Sequence, residues 1–320
     1  MGFASLPKRI IQKLKLWVID KPIPPATQRE MALIKDLKDE FDMLRNDLAQ
    51  ANQEWSQYTN RLSELVADDD VRSFLRWDVI QESMFVGNEP YIKDELDYFG
   101  NLTDWKSKWS EAIVESPVGH PIPCVFYPDS SGNLIHHAYH LAQFEEKIGV
   151  KIDEISFVSE FGGGYGSMCR LFYNLGFSGD YVIFDLPPFS VMQRFYLRTL
   201  SLPVRQMSSV SENHAGIVSL SDMADLEKIL SSSRIRKGSR SLFLATWSLS
   251  EAPTELRDAI VSMISDFNMV LIAYQSSYAG VDNVQFFDNF RHHFTGMIWH
   301  NWEIGHLGGN WYLMGSSASW

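Results

Sequence analysis

The sequence predicts an α/β protein: a doubly wound sheet of seven strands, the last of them antiparallel, behind an N-terminal helical extension. Three observations predict it. From residue 155 onward, short β-branched and aromatic runs alternate with helically spaced apolar residues, a repetition that builds a parallel sheet with helices on both faces. "ISFVSEFGGGYGSMCRLF", residues 155–172, joins the first strand to the next helix through Gly162, Gly163, Gly164 and Gly166, a turn that brings bare backbone to a helix N-terminus. Finally, only "EIGHLGGN" separates the last two strands, too few residues for a crossover helix, so these strands must form an antiparallel hairpin.

The elements follow in chain order. Residues 1–22 hold Lys8, Arg9, Lys13, Lys15 and Lys21 against Asp20, a local charge of +4 in a chain of net −12, which leaves −16 for the rest. In "LPKRIIQKLKLWVID", Ile10, Ile11, Leu14, Trp17 and Val18 share one helical face with the cations largely opposite, so residues 8–18 fit a helix lying on an anionic membrane surface. The leader lacks the apolar core and cleavage site of a signal peptide, and Leu6 stands where N-myristoylation wants Ser or Thr. After the proline-rich break "DKPIPPATQ", the residues Ile34, Leu37, Phe41, Leu44, Leu48, Ala51, Trp55, Tyr58, Leu62 and Leu65 alternate steps of three and four. That spacing predicts one coiled-coil helix over 28–67, roughly 50 Å of it apolar-striped, and a homo-oligomer joined through residues 34–65. A single long helix laid along its own domain uses the same stripe.

Residues 68–130 are aromatic-rich and broken at "GNEP" and "VGHPIPCVFYPDSSGN", which predicts a connecting region of short helices and irregular chain. The main domain then spans 131–320 and opens with a helix, "LIHHAYHLAQFEEKIG". Strands are expected near 155–160, 180–185, 217–220, 241–246, 268–275, 296–302 and 310–316, and helices near 166–176, 188–201, 222–232, 254–266 and 283–293.

Bulk properties narrow the classes of function. A chain of 320 residues, 45% hydrophobic and 21% charged, is ordinary for a globular protein. Cys124 and Cys169 cannot make a disulfide framework and no Cys/His cluster has zinc spacing, which favours a reducing, cytoplasmic setting. So acidic a body argues against nucleic acid as the partner, since phosphate contacts need Lys and Arg. His136 and His140 lie one turn apart, but without a carboxylate pair beside them in sequence no metal is expected.

The glycine turn carries the chemistry. A dinucleotide fingerprint needs a third glycine where Ser167 stands, and a phosphate-cradling Walker loop needs Gly-Lys-Ser or Gly-Lys-Thr, absent here. What remains, Glu160-x-Gly162-x-Gly164-x-Gly166, resembles the first motif of class I S-adenosylmethionine-dependent methyltransferases. Such a donor carries no phosphate; its zwitterionic amino-acid end needs backbone N–H groups and an acid. In "YVIFDLPPF", Asp185 tips the second strand 21 residues after Gly164, where a carboxylate can accept both ribose hydroxyls. Dinucleotide folds place an acid there too.

Together with "SLFLATWSLSEAP", residues 241–253, these stretches are similar to the sugar O-methyltransferase family of bacterial polysaccharide and antibiotic pathways, over roughly residues 130–316. The chain departs from that family in having Ala252 where methionine is common and Trp247 before the serine. The resemblance implies a Rossmann-like fold and S-adenosyl-L-methionine held by Glu160, Gly162, Gly163, Gly164, Tyr165, Gly166, Asp185 and Leu186. The adenine is expected between the third and fourth strands, against Leu220, Ser221, Trp247 and Ser248.

Methylation of a sugar hydroxyl is an in-line displacement on an activated carbon, leaving the protein to align the acceptor and remove its proton. Candidates belong at the carboxyl edge of the sheet. His300 or His306 from the closing hairpin is the expected base, with Glu251 orienting it or holding the acceptor. Tyr274, Gln275 and Tyr278, with Tyr139 and His140 from the preceding helix, are the expected acceptor contacts. Two other readings stand beside this one: a nicotinamide-dependent oxidoreductase, and a non-catalytic scaffold whose working part is the coiled coil.

Overall fold

The structure, a computed structural model, describes residues 22–44, 53–206, 215–231 and 240–317. The leader at 8–18 lies outside the described residues.

Seven strands form one sheet: β1 (Phe157–Phe161), β2 (Asp180–Phe184), β3 (Ile217–Leu220), β4 (Ser241–Thr246), β5 (Met269–Gln275), β8 (Met297–Glu303) and β9 (Asn310–Ser317). A two-residue pair, β6 (Ser277–Tyr278) and β7 (Val281–Asp282), stands apart as a small hairpin. The sheet order is β3-β2-β1-β4-β5-β9-β8. β1 to β5 pair in parallel, and β9 runs antiparallel to both β5 and β8. Thus the predicted fold class holds, down to the single antiparallel strand inserted by the short closing turn. Sequence order reverses on either side of β1, so the carboxyl ends of β1 and β4 diverge into a crevice.

Burial on both faces explains why the strands read as continuous apolar runs. Val158, Tyr181, Ile183, Leu244 and Leu271 point to one core; Phe157, Val182, Phe243, Val270 and Ile272 point to the other. The second core is closed by α8 (Met223–Leu230), α10 (Thr254–Met263) and α11 (Asn283–Phe290). The first is closed by α5 (Gly132–Ile148), α6 (Ser167–Asn174) and α7 (Pro187–Thr199). Local chemistry sets these boundaries. The Ser131 hydroxyl caps α5 by accepting from Leu134 N, Gly149 ends it at φ 79°, and Pro187 opens α7. A short helix unforeseen in the sequence, α9 (Ser248–Glu251), follows β4 directly.

The N-terminal extension departs from expectation. It forms two helices, α1 (Gln28–Leu44) and α2 (Gln53–Asp68), with 45–52 outside the described residues. Lys38 Nζ donates to Ala67 O at 3.1 Å, whereas one helix would hold those residues about 43 Å apart at ~1.5 Å per residue. The chain therefore folds back. Leu37, Phe41, Leu62 and Leu65 are buried in the first core, and Ile34, Leu44 and Tyr58 pack against it. Those members of the stripe that predicted a seam between copies are thus covered by their own chain, while Leu48 and Ala51 lie outside the described residues; α1 lies along α7, where Arg194 pairs with Glu40.

The expected connecting region is likewise core. Phe74, Trp77, Ile80, Ile92, Phe99 and Trp109 are all buried in that same cluster. They are carried on a 3₁₀ turn, α3 (Asp78–Ser83), α4 (Ile92–Gly100) and a π turn at Trp105–Trp109. No helix among the described residues is long and apolar enough to cross a membrane.

Candidate functional site

A cavity of about 560 Å³ opens at the carboxyl ends of β1, β2 and β4, in the size range of small-ligand sites. The glycine turn forms its floor. Gly162 and Gly164 have φ of 72° and 57°, values that cost other residues strain. A Cβ on Gly162 would sit 2.2 Å from Ser248 Cβ, and one on Gly163 would meet Ile183 Cγ2 at 2.5 Å. The turn therefore needs glycine twice over, for its conformation and for contact with α9. Gly162 N donates to Phe184 O at 2.8 Å, and the Ser248 hydroxyl donates to Phe161 O. Tyr165 faces the cavity but is mostly buried against Phe74 and Tyr196, its hydroxyl accepting from Asn133 Nδ2 at 2.9 Å. Gly166 caps α6 from behind the floor.

Two carboxylates flank the turn. Glu160 lies in β1 between Ile183 and Leu244, 3% exposed. Burial pushes it up to about 8 although Tyr181 donates to it at 2.8 Å. Asp185 follows β2; its Oδ2 accepts from Gly164 N at 3.0 Å and Gln193 Nε2 at 2.9 Å, and its Oδ1 from Leu186 N at 2.8 Å. Burial nevertheless raises Asp185 to about 7. Leu186 and Ser221 line the cavity beside it. Leu220, expected there as well, is turned into the second core.

The wall after β4 is strained and braced. Trp247 has φ 62° and ψ −38°, a conformation costing an ordinary residue ~1–3 kcal/mol. It is held by its N–H on Ala273 O at 2.7 Å and by Nε1 on Asn310 Oδ1 at 2.8 Å. Glu251 reaches the cavity, and burial raises its pKa. Gln275 Nε2 donates to Glu251 Oε1 at 3.1 Å, while buried Arg257 donates to the carbonyls of Ala252 and Ser250 and to Asn283 Oδ1. Gln275 thus supports Glu251 from behind and is not on the cavity wall.

The other acceptor contacts expected from sequence are also placed elsewhere. Tyr274 is buried in the second core, its hydroxyl donating to Asn301 Oδ1 at 3.1 Å. Tyr278 sits on the β6–β7 hairpin, off the cavity. His140 is buried beneath the wall, paired with the Tyr312 hydroxyl through Nδ1, and Tyr139 packs on Tyr98 and His306. Alternation along α5 decides this: Asn133, His136 and His137, at i, i+3 and i+4, are the α5 residues that face the cavity.

Neither expected base lies on the cavity. His300 lines a separate groove of about 410 Å³ with Gln143, Glu146, Lys147, Trp299, Asn301 and Trp302. His306 lies behind the wall, its Nε2 2.9 Å from Glu95 Oε1, between the rings of Tyr91 and Tyr139. Sequence reasoning also missed the roof. Residues 82–86, Glu82 to Val86, close over the glycine turn, with Met84 Cβ 3.5 Å from where a Gly164 Cβ would be. No signal in the sequence places that segment; the Asn133/His136/His137 spacing on an apolar helix was the legible clue to α5.

The lining has a marked charge bias. It includes Glu82, Glu160, Asp185 and Glu251, and neither Lys nor Arg. No group of His, Cys, Asp and Glu able to hold a metal is found among the described residues.

No family model and no curated protein matches the chain. Solved structures resemble it. The mitomycin 7-O-methyltransferase is 13% identical, over 78% of this chain and 74% of its own, with a TM-score of 0.38. A glycopeptide N-methyltransferase complexed with S-adenosyl-L-methionine is 11% identical, over 56% and 87%, with a TM-score of 0.38. The fibrillarin pre-rRNA processing protein of Methanococcus jannaschii is 11% identical, over 52% and 69%, with a TM-score of 0.35.

Proposed function

We propose that this chain is an S-adenosylmethionine-dependent O-methyltransferase acting on a sugar hydroxyl of a bacterial glycan or its precursor. The observation that carries the donor assignment is the cavity floor: a bare glycine turn flanked by two carboxylates, in a lining that contains four acids and neither Lys nor Arg. A dinucleotide's pyrophosphate would find acids and no cationic Lys or Arg there; a sulfonium nucleoside with an ammonium group finds carboxyl groups that ionise to the charges it needs. When bound, the donor supplies an electrophilic methyl carbon, the C–S electron pair returning to sulfur as the methyl leaves.

The chain's own residues then have separable tasks. The backbone of Gly162 to Gly164 leaves room for the donor's amino-acid end, with Glu160 as counter-charge. Asp185 is the acceptor for ribose hydroxyls, and Ser221, Trp247 and Ser248 flank the base. Glu251, braced by Gln275, faces the acceptor side. The sugar class rests on the resemblance of residues 130–316. Incubating the chain and labelled donor with a panel of hexose and deoxyhexose nucleotide sugars and methyl glycosides tests it. Transfer to at least one, mapped to oxygen by mass spectrometry, is expected; transfer only to amines or to none would retire the sugar reading.

We place the enzyme in the cytoplasm, with residues 8–18 as a peripheral contact to the inner membrane face. Deleting residues 1–22 should then lower co-sedimentation with anionic phospholipid vesicles; unchanged sedimentation removes this part of the proposal.

A further inference from the structure

Beneath the cavity wall lies a cluster centred on a buried carboxylate, Glu95, and on His136, neither of which the proposed function has given a task. His136 lines the cavity with its ring 2% exposed, and its Nδ1 is 2.6 Å from Oε1 of Glu95, which is fully buried on α4. The same oxygen lies 2.9 Å from Nε2 of His306. Glu95 Oε2 is buried with no partner. Trp247 stacks on the His136 ring at 5.3 Å and 25°, Tyr91 lies 5.5 Å away, and His140 crosses it edge-on at 4.3 Å. Three elements far apart in sequence, α4, α5 and the β8–β9 turn, thus converge on one carboxylate.

We propose that His136 is the general base of the site, Glu95 the residue that fixes its tautomer, and His306 a second N–H donor that keeps Glu95 ionised. This rests on the methyl-transfer reading for its substrate but on the Glu95 geometry for its assignment. A carboxylate can only accept, so an ionised Glu95 makes Nδ1 of His136 the protonated nitrogen and leaves the lone pair on Nε2. Burial opposes the charged form of Glu95, yet the two histidines hold it below the usual carboxylate range. As the acceptor oxygen bonds to the methyl carbon, its O–H bond breaks and the proton passes to Nε2 of His136. The resulting imidazolium faces Glu95 at hydrogen-bond distance, so the dry site gains an ion pair and not a lone charge.

His137 is the rival. It also lines the cavity, but its Nδ1 has no partner, no carboxylate is bonded to it, and burial pushes it down to about 3. A base must tolerate the proton it takes, and only His136 has the means. The groups facing His136 are Glu95 and Tyr91 near the start of α4, His137 and His140 on α5, Trp247 after β4, and His306 behind Glu95.

Two measurements test this. Nitrogen-15 histidine NMR of the full chain, assigned by difference against His136→Gln, should show Nδ1 of His136 protonated and Nε2 bare at pH 8. Nε2 protonated with Nδ1 bare would overturn the assignment, whatever the enzyme transfers. With any acceptor that turns over, His136→Gln should cut kcat about 10²–10⁴-fold while the Kd for S-adenosylhomocysteine changes less than about threefold. Glu95→Gln should lower kcat and, in the same nitrogen-15 spectrum, leave His136 split between its two tautomers, because an amide can donate as well as accept, while the Kd for S-adenosylhomocysteine stays within about threefold. A His136→Gln enzyme keeping more than a tenth of kcat would also sink the proposal. Should the wild-type chain fail to bind S-adenosylhomocysteine, the methyl-transfer reading falls separately, and the NMR result still decides the tautomer.

Discussion

Gly162 is the residue at which sequence, conformation and contact meet. Its φ of 72° suits glycine, and its missing Cβ is the space that Ser248 occupies. Gly162→Ala should therefore abolish donor binding and destabilise the fold by several kcal/mol, as overpacking and strain add. Pairing it with Ser248→Gly removes the 2.2 Å collision but not the backbone strain, so roughly half the loss should return in chemical denaturation. If the double variant is as unstable as the sum of the singles, the contact is not what fixes the turn.

Glu160 makes the opposite kind of prediction. Its folded pKa, about 8, stands above the ordinary carboxylate value of 4.5. A carboxyl raised on folding binds its proton more tightly in the folded state, so the stability it contributes is full below 4.5 and is lost as pH rises towards 8. Glu160→Gln should raise the unfolding free energy at pH 8 to 8.5, by on the order of 1–3 kcal/mol, and leave it nearly unchanged at pH 4 to 4.5. The same variant should lose donor affinity. A variant that melts lower at pH 8 would show that the ionised carboxylate is satisfied in a way the geometry does not reveal.

At the scale of elements, the stripe through α1 and α2 is the instructive case. A three–four apolar spacing states that one face of a helix is buried; it does not state what buries it. Phe41 and Leu62 are buried against the first core of their own chain. Phe41→Ala should therefore cost ~3–5 kcal/mol in unfolding without changing the mass seen by light scattering. Dissociation of an oligomer with little loss of monomer stability would restore the seam. The strands and their helices were legible for a related reason. A two-sided parallel sheet makes each strand a short apolar run, and proline, Asp or Ser marks each helix start, so local sequence is enough. Glu160, Asp185, Ser221, Trp247, Ser248 and Glu251 were legible with them, because strand ends on one sheet edge must neighbour one another. The base was not. His136 could be read only as one histidine among several on a helix, since Glu95 is 41 residues away and His306 is 211 residues from that carboxylate.

At the scale of the molecule, the described residues between 53 and 130 roof and brace a site whose floor comes from the sheet. Residues 82–86 close the cavity and Glu95 supports its wall, so residues 82–95 are part of the site and not a tether to it. The charge of the cavity also ties ligand binding to protons. Glu160 at about 8 and Asp185 at about 7 are largely protonated at pH 6, and a cationic donor with ribose hydroxyls to satisfy favours their ionised forms. Affinity should therefore rise between pH 6 and 8, by up to about tenfold per unit for each proton released, and level off above.

The most direct measurement is one calorimetric titration series, S-adenosylhomocysteine and then NAD against the full chain at pH 8, the first repeated at pH 6. One-to-one binding of S-adenosylhomocysteine is expected, weaker at pH 6, where it releases protons to the buffer, with no binding of NAD. Saturable NAD binding, or no heat from S-adenosylhomocysteine at either pH, would contradict it.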